Sequence, residues 1–297
     1  MRRGTYSIVA RDPETGALGV AVQSHWFSVG SVVSWAEPGA GAVATQSLAE
    51  RSYGPNGLAL MRKGARAADA LARLLADDDE AAFRQVALVD REGRVAVHTG
   101  ELCIAHAGHR AGEGYSCQAN IMARPGVPEA MAEAYESATG PLDERLLVAL
   151  DAAQAAGGDL RGRQSAVLLT VDAEGEPWRR AVDLRVEDHP DPLVEMRRLH
   201  TLHRAYEMSE QAEELTGEGR HEEAAPLYER AAELAPDSDE LLFFAGLAAA
   251  VAGDLDLALD RVRRAMAVNP GWRELLPRLG PDIAPGAAEV LAALERD

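Results

Sequence analysis

TYSIVA, Thr5–Ala10, is followed by the segment Asp12–Gly16 and by LGVAVQS, Leu18–Ser24. The two outer segments have the alternation and composition of β-strands, and the proline and glycine of the middle segment are placed for a turn. The stretch therefore predicts a β-hairpin. Gly19 and Ala21 are small residues that let a ligand or another backbone approach a central strand closely.

Outward from this hairpin, strands alternate with pairs of helices. The sequence predicts strands over Val32–Ala36, Gly41–Gln46, Gln85–Asp90, Arg94–His98, Gln164–Val171 and Trp178–Val186, and helices over Pro55–Arg62, Ala67–Leu75, Val127–Thr139 and Leu142–Ala156. Hairpins separated by helix pairs are typical of antiparallel sheets that have helices packed outside them. The N-terminal half is therefore predicted to be an α+β domain.

Composition excludes several classes of partner. The 297 residues suffice for two domains, and the formal net charge of −18 argues against binding to nucleic acid or to an anionic membrane. No apolar run approaches the length of about 18 residues that a membrane span needs. Met1–Gly4 is basic but no apolar segment follows it, so we expect no signal peptide and a cytoplasmic location.

The C-terminal third is predicted to be helical and repetitive. The prolines of His189–Pro192 predict a linker between an N-terminal domain, residues 1–188, and a helical domain, residues 189–297. Pairs of residues then recur 34 positions apart: Gly219 and Gly253, Ala224 and Ala258, Ala231 and Ala265, Pro236 and Pro270. This period is typical of tetratricopeptide repeats.

Two such repeats cannot bury their apolar faces alone, so the flanking helices, the first domain or a second subunit must cover them. A homo-oligomer is expected for this reason. Residues 193–280 either bind a protein partner or form a packing or dimerisation arm, because a fold does not by itself fix a function.

Nine segments agree, in order, with one known family: Thr5–Gly16, Gly19–Ser24, Gly41–Gln46, Tyr53–Leu58, His98–Gly100, Gly108–His109, Gly112–Ser116, Gly157–Asp159 and Arg161–Ala166. Together they resemble the bacterial "domain of unknown function 1028" family, which is grouped with the N-terminal-nucleophile (Ntn) hydrolases. The resemblance implies a four-layer αββα sandwich, here followed by the all-α helical repeat domain. It implies hydrolysis of a C–N bond (amide, ureido or amidine) in a small polar metabolite, and we expect no cofactor.

Thr5 is the nucleophile that this resemblance implies. An Ntn hydrolase attacks with the side chain of its first residue and uses the free α-amine, with a reference pKa of about 7.7–8.0, as the base. Because Arg2, Arg3 and Gly4 precede Thr5, this role requires cleavage of the Gly4–Thr5 bond or a later translation start. Otherwise Thr5 is a β-branched residue that opens a strand. Ser7, on the same face of the strand, is a neighbour or a fallback nucleophile.

Three further residues are candidates for the catalytic machinery. His25 follows the second strand and is either an acid or base or a loop histidine. Gln46 and Ser47 end a strand and either contribute to an oxyanion hole or complete the hydrogen bonds of the strand end. The only lysine, Lys63, falls in a predicted surface helix, so we do not expect a lysine-assisted mechanism.

Six polar residues are expected to line the substrate pocket: Gln23, Ser24, Asn120, Arg161, Arg163 and Gln164. The two arginines flank a glycine and either clamp a substrate carboxylate or are solvated in a surface loop. Asn120 and its neighbour Gln118 either line the pocket or satisfy buried backbone groups.

A metal site is only weakly indicated. Cys103, His106 and His109 have C-x₂-H-x₂-H spacing, with His98 upstream, but three ligands within seven residues rarely surround one ion. We therefore assign no metal. The alternative to an enzyme is a catalytically silent Ntn-like scaffold whose helical repeat recruits a protein partner. The enzyme is favoured because polar residues beside small-residue strands are what a pocket requires.

Overall fold

The computed structural model describes residues 4–281 and 283–296. The basic residues Arg2 and Arg3, which bear on the signal-peptide and Thr5 predictions, lie outside the described residues. The chain divides into two compact units, one ending at Arg197 and the other beginning at Arg198.

Ten strands form two antiparallel sheets in the described part of the first unit. They are β1 Thr5–Arg11, β2 Leu18–Ser24, β3 Ser34–Glu37, β4 Gly41–Ser47, β5 Arg84–Asp90, β6 Val95–Thr99, β7 Gly108–Gly112, β8 Tyr115–Asn120, β9 Ser165–Val171 and β10 Val182–Val186. The six-stranded sheet has the order β10-β9-β2-β1-β8-β7, and the four-stranded sheet has the order β3-β4-β5-β6. The prediction of antiparallel sheets is confirmed.

The β1–β2 hairpin forms as its sequence predicts. The Asp12 carboxylate accepts hydrogen bonds from the backbone N–H groups of Glu14 and Thr15, at 3.0 and 2.8 Å, which closes the turn. Gly16 supplies the left-handed conformation, with φ of +76°, that returns the chain into β2. The resulting register pairs Thr5 with Ser24 at the open end of the hairpin.

In the described part of the first unit, five α-helices accompany the sheets: α1 Gly30–Val33, α2 Tyr53–Arg62, α3 Ala67–Ala76, α4 Val127–Ser137 and α5 Leu142–Ala155. Helices α2 and α3 contact the four-stranded sheet, whereas α4 and α5 contact the six-stranded sheet. Strand β1 of the larger sheet also contacts β4 and β5 of the smaller one. Because side chains alternate along a strand, one face of β1 points toward the other sheet and the opposite face toward the helices.

Two predicted elements differ from the structure, and one observed hairpin has no predicted counterpart. Val32 and Val33 lie in the short helix α1 rather than in a strand, which shows that β-propensity yields to local packing. Strand β10 begins at Val182, because Trp178 lies in the preceding turn and is 75% exposed. The hairpin of β7 and β8 was not predicted.

The second unit is helical. Its described elements are α6 Pro192–Gly217, which begins in the first unit, then α7 His221–Leu234, α8 Asp239–Val251, α9 Leu255–Val268, α10 Gly271–Leu275 and α11 Ala287–Leu294. Gly219 and Gly253, 34 residues apart, follow α6 and α8 in the left-handed conformation that ends helices. Ala224 and Ala258 occupy equivalent buried positions in α7 and α9. Among the described residues, every helix is too short or too polar to cross a bilayer.

Candidate active site

Thr5 lies in a row of polar residues that crosses four neighbouring strands. The strand register pairs Thr5 with Asn120 on one side and with Ser24 on the other, and Ser24 in turn pairs with Ser165. All four side chains are buried, and Thr5 is only 1% exposed. Strands β1, β2 and β9 therefore each bring a hydroxyl group to the same end of the six-stranded sheet.

A chain of hydroxyl groups connects Thr5 to the peptide bond that precedes it. The Ser24 hydroxyl donates to the carbonyl oxygen of Gly4, and its Oγ lies 3.0 Å from Oγ1 of Thr5. A hydroxyl has one proton to donate. Because Ser24 gives its proton to Gly4, Thr5 must be the donor to Ser24.

Arg161 is the second donor to the same carbonyl. Its Nη2 lies 2.8 Å from the Gly4 oxygen and 2.8 Å from Oδ2 of Asp159. The Asp159 carboxylate also accepts from Nε of Arg161 at 3.1 Å and from the backbone N–H groups of Arg161 and His25 at 2.9 and 3.0 Å. Asp159 is thus held in one orientation and in turn holds the Arg161 guanidinium.

Gly4 fits tightly against this pair. A Cβ atom at residue 4 would lie 2.6–2.7 Å from the carboxylate atoms of Asp159, closer than real Cβ contacts occur. A side chain at this position therefore requires the Asp159 carboxylate to move.

Next to Thr5, polar side chains fill the space between the two sheets. We call Ser7, Gln46, Gln85, Gln118 and Asn120 the inter-sheet polar cluster; each is at most 1% exposed. Ser7 donates to Oε1 of Gln46 at 2.6 Å and accepts from Gln118 at 2.7 Å. Oε1 of Gln85 accepts from Gln46 at 2.8 Å and from Asn120 at 2.9 Å. The cluster joins the two sheets through side-chain amides.

Two buried side chains have polar atoms with no protein partner among the described residues: Oδ1 of Asn120 and both polar atoms of Gln23. Gln23, predicted to line the pocket, pairs with Tyr6 and therefore lies on the helix-facing side of the sheet, opposite Thr5. Buried polar groups are nearly always hydrogen-bonded, so such atoms mark places for water or a ligand. Asn120 is the neighbour of Thr5 across the β1–β8 ladder, which puts a vacant acceptor next to the candidate nucleophile.

The predicted site residues fall into two groups. Thr5, Ser24 and Arg161 surround the Gly4 carbonyl, and Ser7, Gln46 and Asn120 lie in the polar cluster beneath. The remaining predicted residues have other contacts: the His25 ring lies 3.3 Å from the Arg163 carbonyl, Arg163 pairs with Asp191 at 2.6 Å, and Gln164 donates to Asp188 at 3.1 Å.

Ser47 lies at the end of β4 in a left-handed conformation, with φ of +68°. Ile121, directly after Asn120, has φ of +56°, which is unusual for a β-branched residue. Burial raises the pKa of the Cys103 thiol, and the Ser47 side chain partly offsets this rise. Strained backbone therefore follows both Gln46 and Asn120, and such strain is often found at functional sites.

Sequence reasoning missed Asp159 and Gln85. Asp159 closes one of the segments that carry the family resemblance and follows two consecutive glycines, but its contact with Arg161 depends on a loop conformation. Gln85 is a polar residue within an otherwise apolar strand, RQVALVD, and that interruption was a usable signal.

The residues of the weak metal pattern are engaged elsewhere. Cys103 donates to the backbone carbonyl of Arg84 at 3.4 Å, His98 lies 2.8 Å from the carbonyl of Ala81, and His109 lies 2.9 Å from Oγ1 of Thr99. No group of three or more potential metal ligands occurs within residues 4–281 and 283–296.

Comparison with known proteins adds two findings. The model of a family of unknown function (DUF1028) matches residues 5–196. The crystal structure of protein SPO2555 from Silicibacter pomeroyi, assigned to the same family, is 32% identical, covers 66% of this chain and 84% of its own, and has a TM-score of 0.61.

A more distant structure is Anbu, an ancestral β-subunit from Yersinia bercovieri. It is 10% identical, covers 65% of this chain and 91% of its own, and has a TM-score of 0.31, too low to support an argument. No curated protein matches the chain significantly.

Proposed function

The chain belongs to the DUF1028 family, and from this premise we propose that it is an N-terminal-nucleophile hydrolase that cleaves a C–N bond of a small polar metabolite. Thr5, freed by cleavage of the Gly4–Thr5 bond, is the nucleophile. The observation that carries the proposal is the Thr5 hydroxyl at the head of β1, hydrogen-bonded to Ser24 beside the Gly4 carbonyl. Two facing sheets, each contacted by its own helix pair, support the four-layer αββα arrangement.

The proposed reaction has two halves. The free α-amine of Thr5 takes the proton of the Thr5 hydroxyl while Oγ1 attacks the substrate carbonyl carbon. Collapse of the tetrahedral intermediate expels the substrate nitrogen, which leaves as an amine with that proton. Water then hydrolyses the Thr5 ester and releases the acid. The amine must be neutral to act, so turnover rises with pH through its reference pKa of about 7.7–8.0.

The surrounding residues have supporting roles in this proposal. The vacant Oδ1 of Asn120 accepts a hydrogen bond from the freed amine and orients it. Gln46 and Ser47 lie on the oxyanion side, and the inter-sheet polar cluster holds Gln46 in place. His25 and Arg163 shape the pocket entrance.

The test is the identity of the first residue in active protein. We expect intact-mass spectrometry to find a chain that begins at Thr5, and this species to hydrolyse members of a panel of small amides, ureides and amidines. Thr5→Ala should abolish both processing and turnover, whereas Thr139→Ala, a matched change at an exposed threonine, should affect neither. Full turnover by a chain that still carries Gly4 would exclude Thr5 as the base.

A second candidate function rests on the helical unit. A cavity of about 520 Å³ lies among α6, α7, α8 and the segment before α11, with an apolar lining that includes Tyr228, Phe244 and Leu247 and an acidic Glu213. In this alternative the first unit is a silent Ntn-like scaffold and the helical unit, a tetratricopeptide-like repeat, recruits a protein partner. A partner captured by the full chain and lost on Phe244→Glu, with no turnover against the metabolite panel, would favour it.

We also propose that the protein is a homo-oligomer and that it is located in the cytoplasm. Light scattering on the purified chain tests the first, and cell fractionation tests the second.

A further inference from the structure

We propose, on the basis of the proposed function, that Arg161 is a catalytic residue for cleavage of the chain's own Gly4–Thr5 bond. Its guanidinium and the Ser24 hydroxyl form the oxyanion site for the Gly4 carbonyl, and Asp159 is the positioning residue that holds Arg161 there. This differs from the role that the sequence suggests for Arg161, which is to clamp a substrate carboxylate.

The first argument is the geometry at the carbonyl oxygen. Two donors, Ser24 Oγ and Arg161 Nη2, converge on the Gly4 oxygen, one for each of its lone pairs. The Arg161 contact of 2.8 Å is within the range of about 2.7–3.1 Å expected for oxyanion donors. Donors to a carbonyl gain strength as its oxygen becomes negative, so the pair stabilises the transition state for attack by Thr5, before the oxygen is protonated, more than it stabilises the peptide.

The second argument is the way Arg161 is held. Asp159, whose side chain is completely buried, accepts from both Nε and Nη2 of Arg161, and the arginine side chain is 28% exposed. This bidentate pairing fixes the plane of the guanidinium. It also neutralises the positive charge, so Arg161 is better suited to direct one hydrogen bond at a carbonyl than to attract a carboxylate.

The third argument is the fit of Gly4. A Cβ at residue 4 would lie 2.6–2.7 Å from the Asp159 carboxylate. Any larger residue would push Asp159 away and move Arg161 off the carbonyl with it. The site is therefore shaped for glycine at the residue ahead of Thr5.

The step balances without an outside oxidant or metal. Thr5 Oγ1 forms a bond to the Gly4 carbonyl carbon while its proton passes to Ser24, and the Ser24 proton passes to the carbonyl oxygen. Collapse returns that proton to the Thr5 nitrogen as the C–N bond breaks, which leaves an ester. Water hydrolyses the ester to the Gly4 carboxylic acid, restores the Thr5 hydroxyl and leaves the α-amine free.

The experiment follows cleavage of the full chain, expressed with residues 1–4, by intact mass over time. We expect Arg161→Ala to slow the appearance of the Thr5 N-terminus by about 10²–10³-fold, the usual effect of losing one oxyanion donor. Millimolar methylguanidinium should increase the cleavage rate of Arg161→Ala at least tenfold. Arg62→Ala is the control, because Arg62 also pairs with a single carboxylate, that of Glu37, whose two oxygens both accept from its Nη1. This variant should cleave at the wild-type rate and show no response to methylguanidinium.

Asp159 is tested through the same rescue. In the double variant Arg161→Ala/Asp159→Asn, methylguanidinium should fail to rescue, because the carboxylate that recruits it is gone. Equal rescue of the single and double variants would overturn the role of Asp159. Wild-type cleavage by Arg161→Ala, or no rescue of it, would overturn the role of Arg161 and leave the proposed hydrolase intact, whereas an uncut wild-type chain would overturn the proposed function itself.

Discussion

The space between the two sheets has two ends that are equally buried but chemically opposite. Near Thr5 it is filled by the inter-sheet polar cluster of Ser7 and four amide side chains. At the other end it is filled by aliphatic residues, among them Val9, Val20, Val22, Ala44, Val89, Val167 and Leu169. Burial alone therefore does not tell which part of a core holds the fold and which supports a site.

The energetic roles of the two ends should differ. Aliphatic side chains stabilise by roughly 1.5–3 kcal/mol each when fully buried. A buried hydrogen bond contributes only about 1 kcal/mol net, yet an unmade one costs about 1–3 kcal/mol. The polar end thus adds little stability for its size, and we infer that its role is to hold the groups around Thr5.

The largest expected effect on stability is at the apolar end. Leu169→Ala removes a side chain that is 2% exposed, and we expect the free energy of unfolding to fall by about 3 kcal/mol through lost transfer energy and a residual cavity. Turnover per folded molecule should stay within about twofold of wild type. Urea denaturation and a turnover assay check this. A selective loss of turnover would show that the apolar end also supports the site.

A second test removes the amide that bridges the sheets. Gln46→Leu leaves the Ser7 hydroxyl without its acceptor and Gln85 Oε1 without one of its donors, so we expect a loss of about 2 kcal/mol in the free energy of unfolding. Turnover should fall more than tenfold, unlike that of Leu169→Ala. Gln211→Leu, at an exposed glutamine, is the stability control. Unchanged turnover would show that the polar end supports the fold but not the candidate site.

A third test addresses the rim of the polar end, where Arg84 opens β5. Arg84 pairs with Asp78 at 2.8 Å and donates to the carbonyl of Leu48 at 2.6 Å. Hydrogen bonds from Arg84 hold the pKa of the Asp78 carboxyl well below its usual range. We expect Asp78→Asn to lower the free energy of unfolding at pH 7 by about 1.5 kcal/mol.

The direction of the Asp78 pKa shift determines how the stability difference between wild type and Asp78→Asn depends on pH. Because the folded pKa of Asp78 is depressed, the stabilisation is complete above the unfolded value of about 3.9 and is lost as pH falls below it. Wild type and Asp78→Asn should therefore differ by a constant amount from pH 7 to pH 5 and converge in more acidic solution. A difference that does not narrow as the pH falls below the unfolded value of about 3.9 would contradict the assignment to this carboxylate.

The smallest expected effect is a coupling energy within the cluster. Ser7→Ala and Gln118→Leu each leave a buried partner unsatisfied, whereas the double variant removes both sides of the 2.7 Å hydrogen bond. We expect the double variant to be about 1 kcal/mol more stable than the sum of the single losses. The comparison is the pair Val9→Ala and Val20→Ala, which lies in the apolar part of the same sheet. If the losses in the free energy of unfolding from Ser7→Ala and Gln118→Leu simply added in their double variant, the two residues would not be coupled and the cluster would be contradicted.

The sequence predicted most strands of the two sheets and missed the β7–β8 hairpin. Strand β8 places Ser116, Gln118 and Asn120 on its inward face and Cys117 and Ala119 on the other, so its pattern is the inverse of an ordinary amphipathic strand. From the sequence, Gln118 and Asn120 are expected either to line the pocket or to satisfy buried backbone groups. They are inter-sheet contacts as well.

The part of the candidate site that lies on the β1–β2 hairpin could be predicted from the sequence. Register in a hairpin follows from its turn, so the Asp12–Gly16 turn places Ser24 beside Thr5. The approach of Asp159 and Arg161 to Gly4 is different, because it depends on a loop 155 residues away along the chain. Such tertiary contacts have no local pattern in the sequence.

The tight fit at Gly4 has a practical consequence for anyone who produces this protein. An affinity tag fused ahead of residue 4 must reach Thr5 through glycine, since another residue there would collide with Asp159. Under the proposed chemistry such a tag is shed during expression, and the fraction of tagged protein measures how much remains uncut. A tag at the opposite terminus would recover both forms.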